Sequence, residues 1–276
     1  MVTPTPSRDA QALERAVLFA ARSDPGMLRL QNEDACGSHE TEAGVVLAVA
    51  DGVSGEEGGE IASRTAIDET LRAYRESPAV WGPARRLYRA AQQANIEIYD
   101  RAAVVTELRR MATTLTAIAV EDGVAYAAHI GDSRLYLIRN GRIDQKTKDH
   151  TVAATRQRIG IVSAKRAKDH PLRSTLTRSL GSELIAAIDR VTFPVRVGDT
   201  LLVCSDGLYN VLMDDQLCEG ASGRDPEEAC KALIDQANAR GAPDNITVAI
   251  ARVMRGAAAD RGPGWRGLLA RLMGNG

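Results

Sequence analysis

Five aspartates of this chain stand where an apolar, strand-like run meets a turn. They are Asp34, Asp51, Asp132, Asp206 and Asp244, and four of them are next to a glycine or an asparagine. The ends of strands are where a sheet presents side chains to a shared site. Carboxylates that converge there cannot all stay ionised unless cations hold them together. The pattern therefore predicts a cluster of hard divalent ions, and Mg²⁺ and Mn²⁺ are the ions that carboxylate and carbonyl oxygens favour.

Such a cluster could do chemistry at phosphorus. Two divalent ions roughly 3.5–4 Å apart can clamp an in-line displacement and turn a bound water into a nucleophile at neutral pH. The site would also need a close backbone carbonyl, which Gly52 supplies without steric hindrance. Arg29 offers the planar fork that matches phosphate oxygens. A single Asp-Gly is typical of an ordinary turn, so the prediction depends on the number of aspartates and their position after strands.

The elements that must position these residues alternate between strands and helices. The predicted strands are 16–21, 44–50, 113–120, 124–130, 134–139, 199–204 and 246–253, and the predicted helices are 59–75, 83–101 and 226–240. Apolar residues at helical spacing, such as Ile67, Leu71 and Tyr74, support the helices. Asn140-Gly141 predicts a hairpin. Strands in consecutive hairpins with paired helices between them favour an α+β fold with antiparallel sheets.

The remaining segments predict a lid and two less ordered ends. Residues 145–182 are polar and weakly periodic, which indicates a long, partly helical surface segment. Residues 1–12 are interpreted as a disordered lead-in, 13–254 as one domain, and 255–276 as a flexible tail. A short basic amphipathic helix in the tail would touch a membrane surface or a partner, or would fold back on its own domain. We favour the second interpretation, because a helix this short is marginal in water.

Composition narrows the functional classes. The chain has 276 residues, of which 44% are hydrophobic, enough for a real core. A net charge of -1 and an aromatic content of 4% argue against nucleic-acid binding. The four cysteines form no Cys-x-x-Cys pair and no secretion signal precedes them, so free thiols and a cytoplasmic location are expected. No run approaches the ~18 apolar residues of a transmembrane helix.

The motifs around the aspartates resemble a known family. They are, in order, Arg29-Leu30-Gln31-Asn32-Glu33-Asp34-Ala35, Ala50-Asp51-Gly52-Val53-Ser54-Gly55 with Gly58-Gly59-Glu60-Ile61-Ala62-Ser63, Thr113-Thr114-Leu115, Gly131-Asp132-Ser133-Arg134, Asp149-His150, Leu176-Thr177-Arg178-Ser179-Leu180-Gly181, Ser205-Asp206-Gly207-Leu208 and Asp244-Asn245-Ile246-Thr247. This ordered set resembles the signature of the metal-dependent Ser/Thr protein phosphatases (type 2C, or PPM) in its bacterial form. The resemblance covers roughly residues 16–253, and an ordered set of motifs is highly specific.

The resemblance implies a role for each metal-binding position. Asp51 would bridge two Mn²⁺ or Mg²⁺ ions, and the carbonyl of Gly52 would be a further ligand. Asp206 and Asp244 would complete one metal site, and Asp34 would serve the second.

It also implies the remaining roles, the fold and the reaction. Asp132 would help Asp206 to hold a third, weaker ion, and Arg29 would bind the substrate phosphate. The implied fold is a four-layer α-β-β-α sandwich of two antiparallel sheets flanked by antiparallel helices. The implied activity is direct attack of a metal-activated water on phosphoserine or phosphothreonine, without a phosphoenzyme. The expected partners are phosphorylated proteins and a cognate Ser/Thr kinase, and a monomer is expected.

Some positions depart from the family pattern. Val53 stands where many eukaryotic members carry a histidine suspected as general acid, so the acid is left unassigned. Ala112 and Ser54 each replace a usual glycine. His150 is either a proton donor or a loop histidine that stabilises the lid, and the second interpretation is favoured. For Arg134 a structural salt bridge is favoured over substrate contact.

Three alternatives to this function are less favoured by the sequence, and the first of them is interpreted as a chance match. Cys218 and Arg224 have the Cys-x5-Arg spacing of cysteine-dependent phosphatases, although the acidic residues before Cys218 would not lower its pKa. A catalytically inactive phosphoprotein-binding regulator (a pseudophosphatase) is a second alternative, but such a protein would be expected to lack one or more ligands. A regulator that dephosphorylates one dedicated partner is the third.

Overall fold

The computed structural model describes residues 16–53, 58–78, 80–163, 166–167 and 169–255. The predicted lead-in, most of the predicted tail with its amphipathic helix, and Ser54 lie outside the described residues. The division into a lead-in, one domain over 13–254 and a tail therefore stays a prediction. Among the residues described, no helix is both long and apolar enough to cross a bilayer.

The described chain forms ten strands and six α-helices. The strands are β1 (Val17–Asp24), β2 (Asp34–Thr41), β3 (Gly44–Asp51), β4 (Leu115–Glu121), β5 (Val124–Ile130), β6 (Arg134–Arg139), β7 (Arg142–Gln145), β8 (Asp189–Pro194), β9 (Thr200–Cys204) and β10 (Ile246–Val253). The helices are α1 (Gly59–Glu76), α2 (Pro83–Val104), α3 (Val152–Arg158), α4 (Asp206–Tyr209), α5 (Asp214–Ala221) and α6 (Pro226–Asn238), with a 3₁₀ turn at Thr106–Leu108.

The strands form two antiparallel sheets of five. The first sheet has the order β1-β10-β9-β6-β7, and the second has the order β2-β3-β4-β5-β8. Helices α1 and α2 pack on the outer face of the second sheet, and α5 and α6 pack on the first. The two inner faces pack against each other. The predicted four-layer sandwich is confirmed.

Strand β3 contains the predicted apolar run 44–50, and it is buried on both of its faces. Val45, Leu47 and Val49 belong to the core between the sheets. Val46 and Ala48 point the other way and pack against the helices. Because side chains alternate between the two faces of a strand, a sequence buried on both faces must be apolar at every position.

The predicted hairpins form as the turn chemistry requires. Asn140 and Gly141 have φ angles of 51° and 71°, the left-handed conformation that a tight two-residue hairpin needs at both central positions. Asp122 and Gly123 repeat this arrangement with φ angles of 51° and 78°. These turns join β6 to β7 and β4 to β5.

Helices α4 and α5 and the strands β2 and β8 are not among the predicted elements. The two strands are the edges of the second sheet. Strand β2 has the polar sequence Asp-Ala-Cys-Gly-Ser-His-Glu-Thr, and most of its side chains are partly exposed. Its conformation comes from pairing with β3 along its whole length, from Asp34 opposite Asp51 to Thr41 opposite Gly44. Tertiary pairing therefore overrides a weak local preference there.

Antiparallel pairing brings the predicted site to one edge of the sandwich. Asp34 begins β2 and Asp51 ends β3, and the two are directly opposite each other. In the first sheet, Asp132 precedes β6, Asp206 follows β9 and Asp244 precedes β10. Since β9 runs antiparallel to both β6 and β10, the end of β9 lies beside the starts of the other two.

Candidate active site

A cleft of about 1040 Å³ opens at this edge. Its wall contains six of the seven residues predicted for the site, namely Arg29, Asp51, Gly52, Asp132, Asp206 and Asp244. These residues are far apart in sequence, and the two sheets bring them together. The seventh residue, Asp34, does not line the cleft.

Asp51 and Gly52 are fixed through their backbone. The Asp51 amide donates to Thr114 Oγ1 at 3.0 Å, and the Asp51 carbonyl accepts from Thr113 Oγ1 at 2.8 Å and from the Thr114 amide at 2.9 Å. At Gly52, a Cβ would lie 2.4 Å from the Gly59 carbonyl oxygen and 2.7 Å from that of Glu33. Only glycine lets these three backbone segments approach so closely. The Thr-Thr pair of the sequence motif thus positions the Asp51 carboxylate.

Asp34 lies behind the cleft wall and is buried, with 6% of its surface exposed. Its Oδ2 accepts a hydrogen bond of 2.7 Å from Ser205 Oγ. Burial raises the pKa of Asp34 to about 7, although the hydrogen bond from Ser205 opposes this rise. As the cross-strand partner of Asp51, it lies on the same face of the sheet as that carboxylate.

Glu33 has no role in the sequence interpretation, yet the structure places it beside Gly52. Its carbonyl accepts the Gly52 amide at 3.0 Å, and its side-chain Oε1 lies 3.1 Å from where a Cβ of Gly59 would stand. The Glu33 amide donates to Asn245 Oδ1 at 2.9 Å, which ties this loop to the residue after Asp244. The position of Glu33 next to Asp34 in the first motif is the feature of the sequence that could have identified it as a site residue.

Asp206 and Asp244 meet at the start of helix α4. Burial raises the pKa of Asp206 to about 6, and the charge of Asp244 adds to the rise. Asn210 Nδ2 donates to Asp206 Oδ2 at 3.1 Å. Arg29 Nη2 forms an ion pair of 3.0 Å with Asp244 Oδ2. The predicted phosphate-binding arginine therefore lies directly against one of the predicted metal ligands.

Gly207 lets the two segments that carry Asp206 and Asp244 touch, because a Cβ there would lie 2.0 Å from the Asn245 carbonyl oxygen. Replacing Gly207 with alanine should lower the free energy of unfolding by at least ~2 kcal/mol, since a backbone carbonyl cannot easily move away. Urea denaturation monitored by circular dichroism measures this change.

The matched control for that substitution is Gly82→Ala. It adds the same methyl group at a helix N-cap where nothing lies within 4 Å. The expected cost is under about 1 kcal/mol, the difference between glycine and alanine at an N-cap. Equal destabilisation by the two substitutions would contradict the assigned role of Gly207.

Asp132 lies where the cleft meets a second cavity of about 990 Å³, which Asp132 and Asp206 also line. Burial raises the pKa of Asp132 well above its usual range, and the charges of Asp206 and Asp149 add to the rise. Tyr209 Oη donates to the Asp132 carbonyl at 3.1 Å. Arg134 lies 3.6 Å over the Tyr209 ring and pairs with Asp149 at 2.7 Å. These contacts agree with the structural salt bridge favoured for Arg134.

His150 is buried beneath the start of the lid and does not line the cleft. Its Nδ1 accepts the Gly131 amide at 3.2 Å, and its Nε2 lies 3.2 Å from Asp189 Oδ2. Its ring lies against that of His129, with centroids 4.8 Å apart. This placement favours the structural interpretation of His150 over the proton donor.

The alternative based on Cys218 and Arg224 fails on geometry. Cys218 is buried inside helix α5, where the Leu217 amide donates to the Met213 carbonyl and the Cys218 carbonyl accepts from Ser222 Oγ at 2.6 Å. A phosphate-binding cysteine loop needs free amides around the thiol, and a helix uses them internally.

The donor set fits a hard divalent ion by its chemistry. The cleft offers carboxylate oxygens and a glycine carbonyl, and its volume leaves space for the waters that Mg²⁺ and Mn²⁺ retain. Within the described part of the chain, no three carboxylate, imidazole or thiol groups lie close enough together to enclose an ion. The predicted ligands other than Asp34 therefore line an open cleft and not a closed cage. Carboxylates that are close together repel one another unless a cation lies between them. Asp244 is paired with Arg29.

The fold and the site define a phosphatase of the metal-dependent class, and comparison with known proteins agrees. The family profile of protein phosphatase 2C matches residues 29–246. The chain belongs to the protein phosphatase 2C family. The predicted family and the predicted class of enzyme are confirmed.

Its relatives include bacterial enzymes of known structure. The chain is 35% identical to the serine/threonine phosphatase stp of Listeria monocytogenes over 232 residues, which cover 82% of this chain and 92% of that protein. It is 36% identical to the serine/threonine protein phosphatase PstP of Mycobacterium tuberculosis over 238 residues, which cover 86% of this chain and 45% of that longer protein. The catalytic domain of a phosphatase PstP, solved in complex with two manganese ions, superimposes with a TM-score of 0.75 at 34% identity, covering 87% of this chain and 99% of that one.

Proposed function

We propose that this chain hydrolyses phosphoserine and phosphothreonine in proteins, using a water activated by two Mn²⁺ or Mg²⁺ ions and no phosphoenzyme. The observation that carries the proposal is the gathering of Asp51, Gly52, Asp206 and Asp244 with Arg29 on one cleft. The manganese-bound PstP relative supports the choice of metal. No predicted ligand has been replaced, which favours an enzyme over an inactive phosphoprotein-binding regulator.

Most of the residues that would hold the ions present oxygen atoms to the cleft. Asp51 would bridge the two ions, the carbonyl of Gly52 would be a further ligand, and Asp206 and Asp244 would complete one of the two metal sites. Asp34, which does not line the cleft, would serve the second ion. Glu33, next to Gly52, is a further candidate ligand. Asp132 would help Asp206 to hold a third ion. The bound ions would lower the pKa of a coordinated water and neutralise phosphate charge.

The protein's own groups would fix the geometry of the reaction. Thr113 and Thr114 hold the Asp51 backbone, and Ser205 holds the Asp34 carboxyl. Arg29, whose side chain is 40% exposed, would bind two oxygens of the phosphate with its planar fork. Because Arg29 is paired with Asp244, cations that take up the charge of Asp244 would release it to the substrate. Metal binding and phosphate binding would then support each other.

A phosphate-release assay tests the proposed function. Wild-type protein should release phosphate from phosphothreonine peptides in the presence of Mn²⁺, with much weaker release from matched phosphotyrosine peptides. Excess chelator should abolish the release, and added Mn²⁺ should restore it, because the nucleophile depends on the ion. Release that continues in chelator would overturn the metal mechanism, and preference for phosphotyrosine would overturn the substrate class.

The proposal extends to setting and partners. We expect a monomer that works in the cytoplasm on phosphorylated proteins, including a cognate Ser/Thr kinase and that kinase's substrates. The four cysteines are free, which is consistent with a reducing compartment.

A further inference from the structure

The cleft has a second wall that carries no carboxylate among its described lining residues. All four lining carboxylates, Asp51, Asp132, Asp206 and Asp244, belong to the strand ends. The second wall is formed by helix α2, by residues 109–112 and by residues 174–182 of the lid. Its polar lining groups are Tyr99, Arg109, Arg110, Ser174, Thr175, Ser179 and Ser182. Cations, hydroxyls and a phenol together suit an anion and not a metal ion.

The second wall carries Arg109 and Arg110 and is therefore called the basic wall. The backbone on either side of these two arginines is held in place by packing and by a hydrogen bond. Met111 is buried, with 1% of its surface exposed. Leu108 packs closely against Gly58, because a Cβ added at Gly58 would lie only 2.7 Å from the Cδ2 atom of Leu108. The Ala112 carbonyl then accepts the Val53 amide at 3.0 Å, directly beside Gly52. Between these anchors the side chains of Arg109 and Arg110 are exposed. The wall is thus held at a fixed place next to the proposed metal ligands.

The lid segment is attached to the same anchor. Thr113 and Leu180 exchange two backbone hydrogen bonds of 3.2 and 2.8 Å. The Gly181 amide donates to Asn95 Oδ1 of helix α2 at 2.9 Å. The hydroxyl groups of Ser179 and Ser182 therefore line the cleft on a segment that is tied to α2. A ligand between the two walls would meet a surface that is already organised before it binds.

The cleft is larger than one phosphorylated side chain needs. Its volume of about 1040 Å³ lies at the upper end of pockets that enclose whole ligands. A phosphopeptide bound at the aspartates therefore leaves space for a neighbouring residue in front of the basic wall.

We infer that Arg109, together with the hydroxyl groups that line the same cleft, forms an anion subsite for a second negative group of the substrate. The inference rests on the proposed function, since it assumes a phosphorylated protein segment at the aspartate wall. The second group is a carboxylate or a second phosphate close in sequence to the residue being dephosphorylated. The enzyme would then prefer acidic or multiply phosphorylated segments over neutral ones.

The experiment compares Mn²⁺-loaded wild type with Arg109→Gln on three sets of phosphothreonine peptides. One set has neutral flanks, one has a glutamate at successive positions on either side, and one has a second phosphothreonine at those positions. Wild type should show a kcat/KM that is about fivefold higher for the best acidic peptide than for the neutral one, the scale of one partly exposed ion pair. In Arg109→Gln this ratio should fall towards one, and in Arg109→Lys it should be largely kept.

Arg101→Gln is the matched control. Arg101 is also an exposed arginine of the α2 region, it does not line the cleft, and its loss changes the net charge equally. The ratio of kcat/KM between acidic and neutral peptides should be the same in Arg101→Gln as in wild type. In wild type this ratio should fall as salt is added, because salt screens the ion pair between Arg109 and the peptide.

Each result has a distinct meaning. A response to the second phosphate alone identifies a phosphate subsite, and a response to glutamate as well identifies a general anion subsite. Equal kcat/KM for neutral and anionic peptides in wild type would overturn the inference while leaving the proposed function intact. An equal fall of the ratio in Arg101→Gln and Arg109→Gln would reduce it to a general effect of net charge. If wild type released phosphate from none of the peptides, the proposed function itself would fail.

Discussion

Replacing Asp51 with asparagine should lower kcat/KM for a phosphothreonine peptide at least ~10³-fold, which corresponds to about 4 kcal/mol of transition-state stabilisation. Asp51 is the carboxylate that ends strand β3 and opens onto the cleft beside Gly52. Asparagine keeps its size and its backbone bonds to Thr113 and Thr114 but removes the charge that would hold two ions. Calorimetric titration should accordingly show that affinity for Mn²⁺ is lost together with activity.

The control for Asp51→Asn is Asp68→Asn, an equal charge change at an exposed position of helix α1. It should leave Mn²⁺ affinity and kcat/KM as in wild type. An Asp51→Asn variant that still bound two ions with wild-type affinity would show that Asp51 is not the bridging ligand. In that case Glu33 would become the first residue to test, because its carbonyl accepts the Gly52 amide and its side chain lies against Gly59.

The second large effect concerns stability without metal. Asp34 has a folded pKa of about 7, raised mainly by burial, against roughly 3.9 in an unfolded chain. Below pH ~4 the carboxyl is protonated in both states and costs nothing. As pH rises to about 7, the unfolded state releases its proton first, so the metal-free protein loses stability across that window. Asp34→Asn removes this loss and can keep an acceptor for Ser205 Oγ.

In chelator, Asp34→Asn should therefore be more stable than wild type, and the gap should widen between pH 5 and pH 7.5. The expected widening is about 2 kcal/mol, or roughly 4–8 °C in Tm for a domain of this size. Thermal unfolding of both proteins at the two pH values measures it. The difference between variant and wild type cancels the opposite contribution of His129, whose pKa burial lowers to about 4 in both proteins. Asp34→Asn also removes the charge that helps to raise the pKa of Asp51, which widens the gap in the same direction.

Mn²⁺ should remove the wild-type penalty, because the ions would bind the deprotonated carboxylates and so stabilise the folded state. Asp68→Asn in chelator should track wild type at both pH values. A gap between Asp34→Asn and wild type that stayed constant or narrowed as pH rose would contradict the raised pKa of Asp34.

Much of the fold was predictable because local and tertiary preferences agree there. The run from Val45 to Ala50 can be buried on both faces only as a central strand, and Asn140-Gly141 permits a tight hairpin by its backbone conformation alone. The helices begin and end within a few residues of their predicted limits, and Pro83 and Pro226 stand in the first turns of α2 and α6.

The edges of the second sheet were not predictable in this way. Strands β2 and β8 have little apolar content on one face, and their backbone groups take the extended form because β3 and β5 offer partners. The same limit affects the cleft. Arg109 stands in no motif, and its place on the cleft follows from the anchoring of Met111 and Ala112.

The sequence by itself determined the kinds of donor in the site, because aspartates beside glycines at strand ends supply hard oxygen ligands wherever they are gathered. Only the tertiary structure decided their arrangement. In the folded chain Asp34 is buried away from the cleft and accepts a hydrogen bond from Ser205. Glu33 lies against Gly52, and Arg29 forms an ion pair with Asp244. The reason is physical: residue type fixes what a group can bind, whereas burial and distance, which set its pKa and its partners, depend on segments that the chain brings together from far apart.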